Sequence, residues 1–158
     1  QQQQYDQQQA QQAAQQAAGT IMNVDGAGLI YYAMPGKETF AFIYGAGYGG
    51  GANTITDFDV IDDTLNFTKN YLKGFAGAAG DAVVDAAPNG YITSSQFVQG
   101  AGTETASTAS QFFIFDTGDG ELRFDGDGSG GSESPTLVAQ ITNIIGGTFD
   151  FTDIAVTF

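Results

Sequence analysis

The sequence predicts an all-β fold, a β-sandwich or short β-roll with a cap, preceded by an N-terminal Gln/Ala-rich α-helix. Three observations predict it. Short apolar runs alternate with turns that draw on 23 glycines, and the glycines follow no collagen-like period. Thirteen Phe against two Met assign much of the core to aromatic rings. Residues 1–18 are almost wholly Gln and Ala, good helix formers uninterrupted by Gly or Pro. The expected division is a helical segment over 1–18 and a β domain over 19–158, long enough to bury a core of its own.

In the first segment Ala10, Ala13, Ala14, Ala17 and Ala18 recur at helical spacing, a narrow and shallow apolar stripe. Gly19 follows where a helix C-cap belongs. A polar helix of this length is marginal alone, so the helical reading requires a neighbour to pack against. A low-complexity tail is the other reading. From Thr20 onward the strand candidates are Leu29 to Tyr32, Thr39 to Tyr44, Asn53 to Phe58 and Thr64 to Phe67, with a Gly-rich loop over Gly45 to Gly51. Lys73 to Pro88 reads as a loop or a short helix, and Thr93 to Val98 as one helical turn. Gln111 to Phe115 holds four consecutive apolar residues, the pattern of a strand buried on both faces. In Glu121 to Asp125, Leu122 and Phe124 alternate with Glu121 and Arg123. Asp116-Thr117-Gly118-Asp119-Gly120 joins these two runs as a hairpin turn. Leu137, Ala139 and Ile141 share one face of a later strand, and Thr148 to Phe158 forms a last turn and terminal strand.

Charge and absences narrow the function. Four cations, Lys37, Lys69, Lys73 and Arg123, face 18 carboxylates, a formal net charge of −14. Such a surface repels nucleic acid and anionic membrane, so neither is expected as a partner. It attracts divalent cations, and hard oxygen ligands favour calcium or magnesium. Without His the usual general base and zinc ligand are missing, and without Cys there is no thiol chemistry. The chain holds no run of about 18 apolar residues and does not open on a basic then apolar segment, so neither a spanning helix nor a cleavable signal is expected. A paired-carboxylate glycosidase needs no His. The carboxylates here lie in Gly-rich turns, however, with nothing to raise the pKa of one partner, and no catalysis is expected.

Several segments resemble the C-terminal block of the repeats-in-toxin (hemolysin-type calcium-binding) family. Gly50-Gly51-Ala52-Asn53-Thr54-Ile55-Thr56-Asp57-Phe58-Asp59, continued by Ile61-Asp62-Asp63-Thr64-Leu65-Asn66-Phe67, resembles the segment that follows that family's nonapeptide repeats. Gln111 to Gly130 resembles its strand, turn, strand and Asp-x-Asp-Gly-x-Gly ending, Thr136 to Thr142 continues the likeness, and Phe149 to Phe158 resembles its C-terminal end. The repeats themselves are eroded. Asp25 to Ile30 and Pro35 to Phe40 resemble degraded copies, with Glu38 in the place of the usual Asp and Lys37 beside it. The resemblance implies export by type I secretion machinery on an uncleaved C-terminal signal, an extracellular or cell-surface location, and one or two residual calcium ions rather than a filled roll.

Two acidic clusters are candidate calcium sites. Counted from Asp125, the oxygen donors Asp125, Asp127, Ser129 and Glu133 stand at positions 1, 3, 5 and 9, a glycine stands at 6, and Gly131 offers its carbonyl at 7, as in an EF-hand loop. Position 12 is Thr136 instead of a bidentate Glu, which predicts weak affinity. An acidic turn serving backbone geometry alone is the competing reading. Asp57, Asp59, Asp62 and Asp63 place four carboxylates within seven residues, either around an ion or in a solvated turn. Asp116 and Asp119 read as hairpin-turn residues. The function expected is a secreted, non-catalytic structural subunit of an extracellular filament, surface layer or matrix, homo-oligomeric and calcium-stabilised. The alternative is a calcium-binding or secretion-carrier module at the end of a larger toxin, protease or adhesin.

Overall fold

The computed structural model describes residues 19–24, 28–43, 52–74 and 90–157. The chain first alternates between two sheets. β1 (Thr20–Asn23), β3 (Glu38–Phe42) and β5 (Thr64–Thr68) enter one sheet, while β2 (Ile30–Tyr32) and β4 (Asn53–Thr56) enter the other. The short helix α1 (Lys69–Lys73) follows β5. After it come β6 (Gly90–Tyr91), a 3-10 turn (Ser94–Gln96), β7 (Phe97–Gly100), β8 (Phe113–Asp116) and β9 (Glu121–Phe124). A second 3-10 turn (Gly128–Gly130), β10 (Thr136–Thr142), a third (Phe151–Asp153) and β11 (Ile154–Thr157) complete the chain.

The first sheet has the order β1-β3-β5-β11-β6 and the second β2-β4-β10-β9-β8-β7. Both are mixed. In the first, β1, β3, β5 and β11 are parallel and β6 joins β11 antiparallel. In the second, β2, β4 and β10 are parallel, β9 runs antiparallel to both β10 and β8, and β7 is parallel to β8.

The expected all-β class, with its helix at the N-terminus, is corrected by these elements to a mixed α/β fold with very little helix. The helix among the described residues is α1, which begins where the Thr68 side chain accepts the Tyr71 N–H at 3.2 Å. Its Leu72 is buried, and Tyr71 packs its ring 5.4 Å from Phe42 and 5.9 Å from Phe67. Core contacts therefore hold a turn of helix that five residues of propensity could not hold alone. The Gln/Ala helix expected over 1–18, the loop over Gly45 to Gly51 and most of Lys73 to Pro88 lie outside the described residues.

One aromatic core joins the sheets. Phe42 stacks on Phe67 at 4.4 Å, Phe67 meets Phe113 of the opposite sheet at 5.5 Å, and Phe113 meets Phe124 at 5.4 Å. Phe149, wholly buried, lies 4.7 Å from Phe115 and 5.6 Å from Phe58. Ring pairs at these separations add attraction beyond the area they bury. Phe113, Ile114 and Phe115 of β8 are buried as the apolar run predicts, while Phe112 at the head of that run is half-buried, and β9 alternates with Leu122 and Phe124 inward. β10 departs from simple alternation. Its register against β9 slips between Leu137 and Ala139, so that Val138, Ala139 and Ile141 are buried while Leu137 is only half-buried. A β-bulge of this kind re-aims the side chains on either side of it.

Candidate cation loops and buried carboxyls

The loop after β9 is built on Asp125 and Asp127. Asp125 is 2% exposed, and its carboxylate accepts the Asp127 N–H at 3.2 Å. Its own N–H donates to the Phe112 carbonyl at 2.8 Å, and the Ser129 N–H to the Thr108 carbonyl at 3.2 Å, which docks the loop on the chain before β8. Gly128 makes that approach possible. With φ at +59°, it sits where a Cβ would lie 2.7 Å from the Thr108 carbonyl oxygen. Asp127 accepts the Ser132 N–H through Oδ2 at 2.8 Å, while its Oδ1 is buried without a hydrogen-bond partner.

The two carboxyls also meet each other. Burial first, then the contact with Asp127 and the charge of Glu133, push Asp125 up to about 6 from its usual 3.8, which corrects the expectation that nothing raises one carboxyl of a pair. The Ser132 N–H holds Asp127 below the usual value. Of the loop residues expected from the sequence, Asp125 and Asp127 are thus brought together, with Glu133 near enough to act on Asp125. Ser129 and Gly131 are exposed. Gly131 takes the left-handed turn that ends the 3-10 segment, at φ +76°.

The four carboxylates of the second cluster do not converge. Asp57 and Asn143 end the adjacent parallel strands β4 and β10, both with left-handed backbones, and the Asn143 side-chain amide donates to the Asp57 carboxylate. Asp59 accepts the Ile61 N–H at 3.0 Å within its own turn, and Asp62 is exposed. Asp63 turns inward. One carboxylate oxygen accepts the Glu38 N–H and the other the Asp59 N–H, both at 2.9 Å, at 4% exposure. Asp57 and Asp59 are half-buried, Asp62 is exposed, and Asp63 is a buried staple. Among the described residues no group of three or more Asp or Glu is arranged to hold a metal ion.

The first sheet also carries a row of buried acids. Glu38 opens β3, Asp63 immediately precedes β5 and Asp153 immediately precedes β11, three neighbouring strands of the first sheet. Each receives turn N–H groups: Met34 donates to Glu38 at 3.3 Å and Asp150 to Asp153 at 2.7 Å, beside the two donors to Asp63. Burial is the largest cause that raises all three, Asp153 to about 6, and the neighbouring Asp63 charge adds to the rise at Glu38. The parallel register that pairs Thr39 with Thr64 brings Glu38 and Asp63 together. Their separation of 25 residues gives no local signal, although both stand one place before a Thr-led apolar run.

Asp116 does more than shape its hairpin. Its carboxylate accepts the N–H groups of Gly102 and Gly118, both at 2.8 Å, and these bonds hold its pKa below the usual value. No family model, curated protein or solved structure matches the chain.

Proposed function

We propose that this chain is a secreted, non-catalytic structural subunit that works outside the cell, or at its surface, by associating with copies of itself in a filament, surface layer or matrix. One observation carries the reading. β1 and β2 are the edge strands at the same end of their two sheets, and large apolar side chains cluster there in solvent: Ile21, Leu29, Ile30, Tyr32 and Met34. Open, apolar sheet edges recruit further chains unless something blunts them. The buried carboxyls support the same reading, because backbone N–H groups inside the fold engage them and little of them reaches solvent where a substrate could meet them.

Export by type I machinery rests on the resemblance of Gln111 to Gly130 and Phe149 to Phe158 to the repeats-in-toxin block. Calcium, as a weak stabilising ion, rests on the Asp125–Asp127 pair with its unpartnered buried oxygen. No helix among the described residues is long and apolar enough to cross a membrane. Light scattering on the purified full chain as a function of concentration tests the reading. Association that grows with concentration is the expected result. A single-copy mass throughout contradicts it and favours the carrier module instead.

A further inference from the structure

We infer that the β1/β2 end is a self-complementary interface, and that two copies of this chain meet there about a twofold axis with β1 alongside β1 and β2 alongside β2, each pair antiparallel. The inference rests on the self-association proposed above and names its surface, partner and symmetry.

The backbone offers the first argument. The Thr20 and Val24 N–H groups donate into β3, so alternation along the strand turns those of Ile21 and Asn23 to the open edge. In β2 the Ala33 N–H donates to Thr56, which turns those of Ile30 and Tyr32 outward in the same way. Among the described residues no strand lies beyond either edge. Five of the eight large apolar side chains exposed in the described residues flank these two edges, with Ile21 at 72% and Tyr32 at 62%.

Charge selects a second copy as the partner. A molecule of net charge −14 repels itself over most of its surface. Residues 19–24 and 28–36 carry no charged side chain, and the next residue is the cation Lys37 (Asp25 falls between the two stretches, outside the described residues). Among the described residues, this end is where two copies can approach without opposing carboxylates.

The far end decides the symmetry. There the first sheet finishes on the two-residue β6 and the second on the four-residue β7, and of the eight exposed large apolar side chains these two strands carry Tyr91. The apolar β1/β2 end meeting this end gives a poor head-to-tail joint, whereas two β1/β2 ends match, and a twofold makes their strands antiparallel.

Sedimentation of the wild-type chain and of an Ile21→Lys/Tyr32→Lys variant tests this, with circular dichroism as the check on folding. Both side chains are exposed, and lysine on an edge strand disfavours pairing. The expected result is a two-copy species, or multiples of it, for the wild type, and its loss in the folded variant. A folded variant that assembles like the wild type overturns the inference and leaves self-association standing through another surface. A wild type of single-copy mass overturns both.

Cross-linking keeps the test decisive if the variant misfolds. The chain has no cysteine, so Ile21→Cys should form an inter-chain disulfide under mild oxidation and Gln99→Cys on β7 should not. No cross-link from Ile21→Cys, or a cross-link formed only between the two variants when mixed, overturns the twofold.

Discussion

Gly120 closes the β8–β9 hairpin at φ +74°, and a Cβ there would lie 2.1 Å from the Ile141 carbonyl oxygen of the adjacent β10. The clash is with backbone, and the left-handed conformation adds its own cost for any other residue. Gly120→Ala should therefore destabilise the protein by about 3 kcal/mol, read from the denaturant midpoint. An unchanged midpoint would show that the hairpin does not sit against β10 in this way. The buried acids make a second prediction at this scale. Asp125 and Asp153 titrate at about 6 when folded and 3.8 when unfolded, so between these values the native state holds protons that the unfolded chain has released. Stability is then full near pH 4 and falls as pH rises through 6. Asp116 and Asp127, shifted downward, act in the opposite sense and lose their contribution as pH falls below their usual value. The melting temperature in chelator should be higher at pH 5 than at pH 7.5 by on the order of 5 °C, and Asp153→Asn should reduce that difference. A melting temperature that climbs steadily toward pH 7.5 would refute the assignment. The turn role of Asp116 was legible because its partner Gly118 is two residues away. Glu38 with Asp63 was not, because strand register alone brings them together.

At the scale of elements, β11 shows how far a terminal segment can sit from an edge. It lies between β5 and β6, parallel to one and antiparallel to the other, with Ile154 and Val156 buried and Phe149 just before it in the core. Deleting residues 149–158 should abolish the cooperative melt and the β-sheet circular dichroism signal. Retention of that truncated chain inside cells would report misfolding before it reported a lost export signal. A truncated chain that still melts cooperatively would place β11 outside the folding unit. The Asp125 to Glu133 loop carries the calcium prediction. Dissociation constants of roughly 10⁻⁴ to 10⁻³ M are expected for so few ligands. Calcium at about ten times that value should add about 1.4 kcal/mol at pH 7.5. The gain should shrink at pH 5, where the Asp125 proton competes with the ion, and vanish in Asp127→Ala. No calcium response at pH 7.5 would leave the loop as a turn held by its own N–H groups. The β8–β9 hairpin was readable because its two strands and turn are contiguous and their apolar pattern is local. The β10 bulge and the helix α1 were not, since packing against β9 and against Phe42 and Phe67 decides them.

Across the whole molecule the winding of the chain matters more than the strands themselves. Successive strands from β1 to β5 enter alternate sheets, so each sheet grows by parallel addition, and among the described residues β1 and β2 are left as edge strands. Sequence pattern located most strands but could not assign them to sheets, because a buried strand reads alike whichever neighbour it pairs with. The exposed apolar end was illegible for a related reason: Ile30 and Tyr32 read as ordinary strand residues until the topology leaves β2 at the edge, and Ile21 lies in a strand that the sequence pattern does not mark. A twofold pair closes on itself, so an extended assembly needs a further contact, for which we propose the alanine stripe read in residues 1–18. We propose that this chain acts by associating with its own copies outside the cell. Electron microscopy of the native material tests it most directly. Ordered polymers or sheets with a repeat built from two copies are the predicted result, and a field of separate single-copy particles would contradict it.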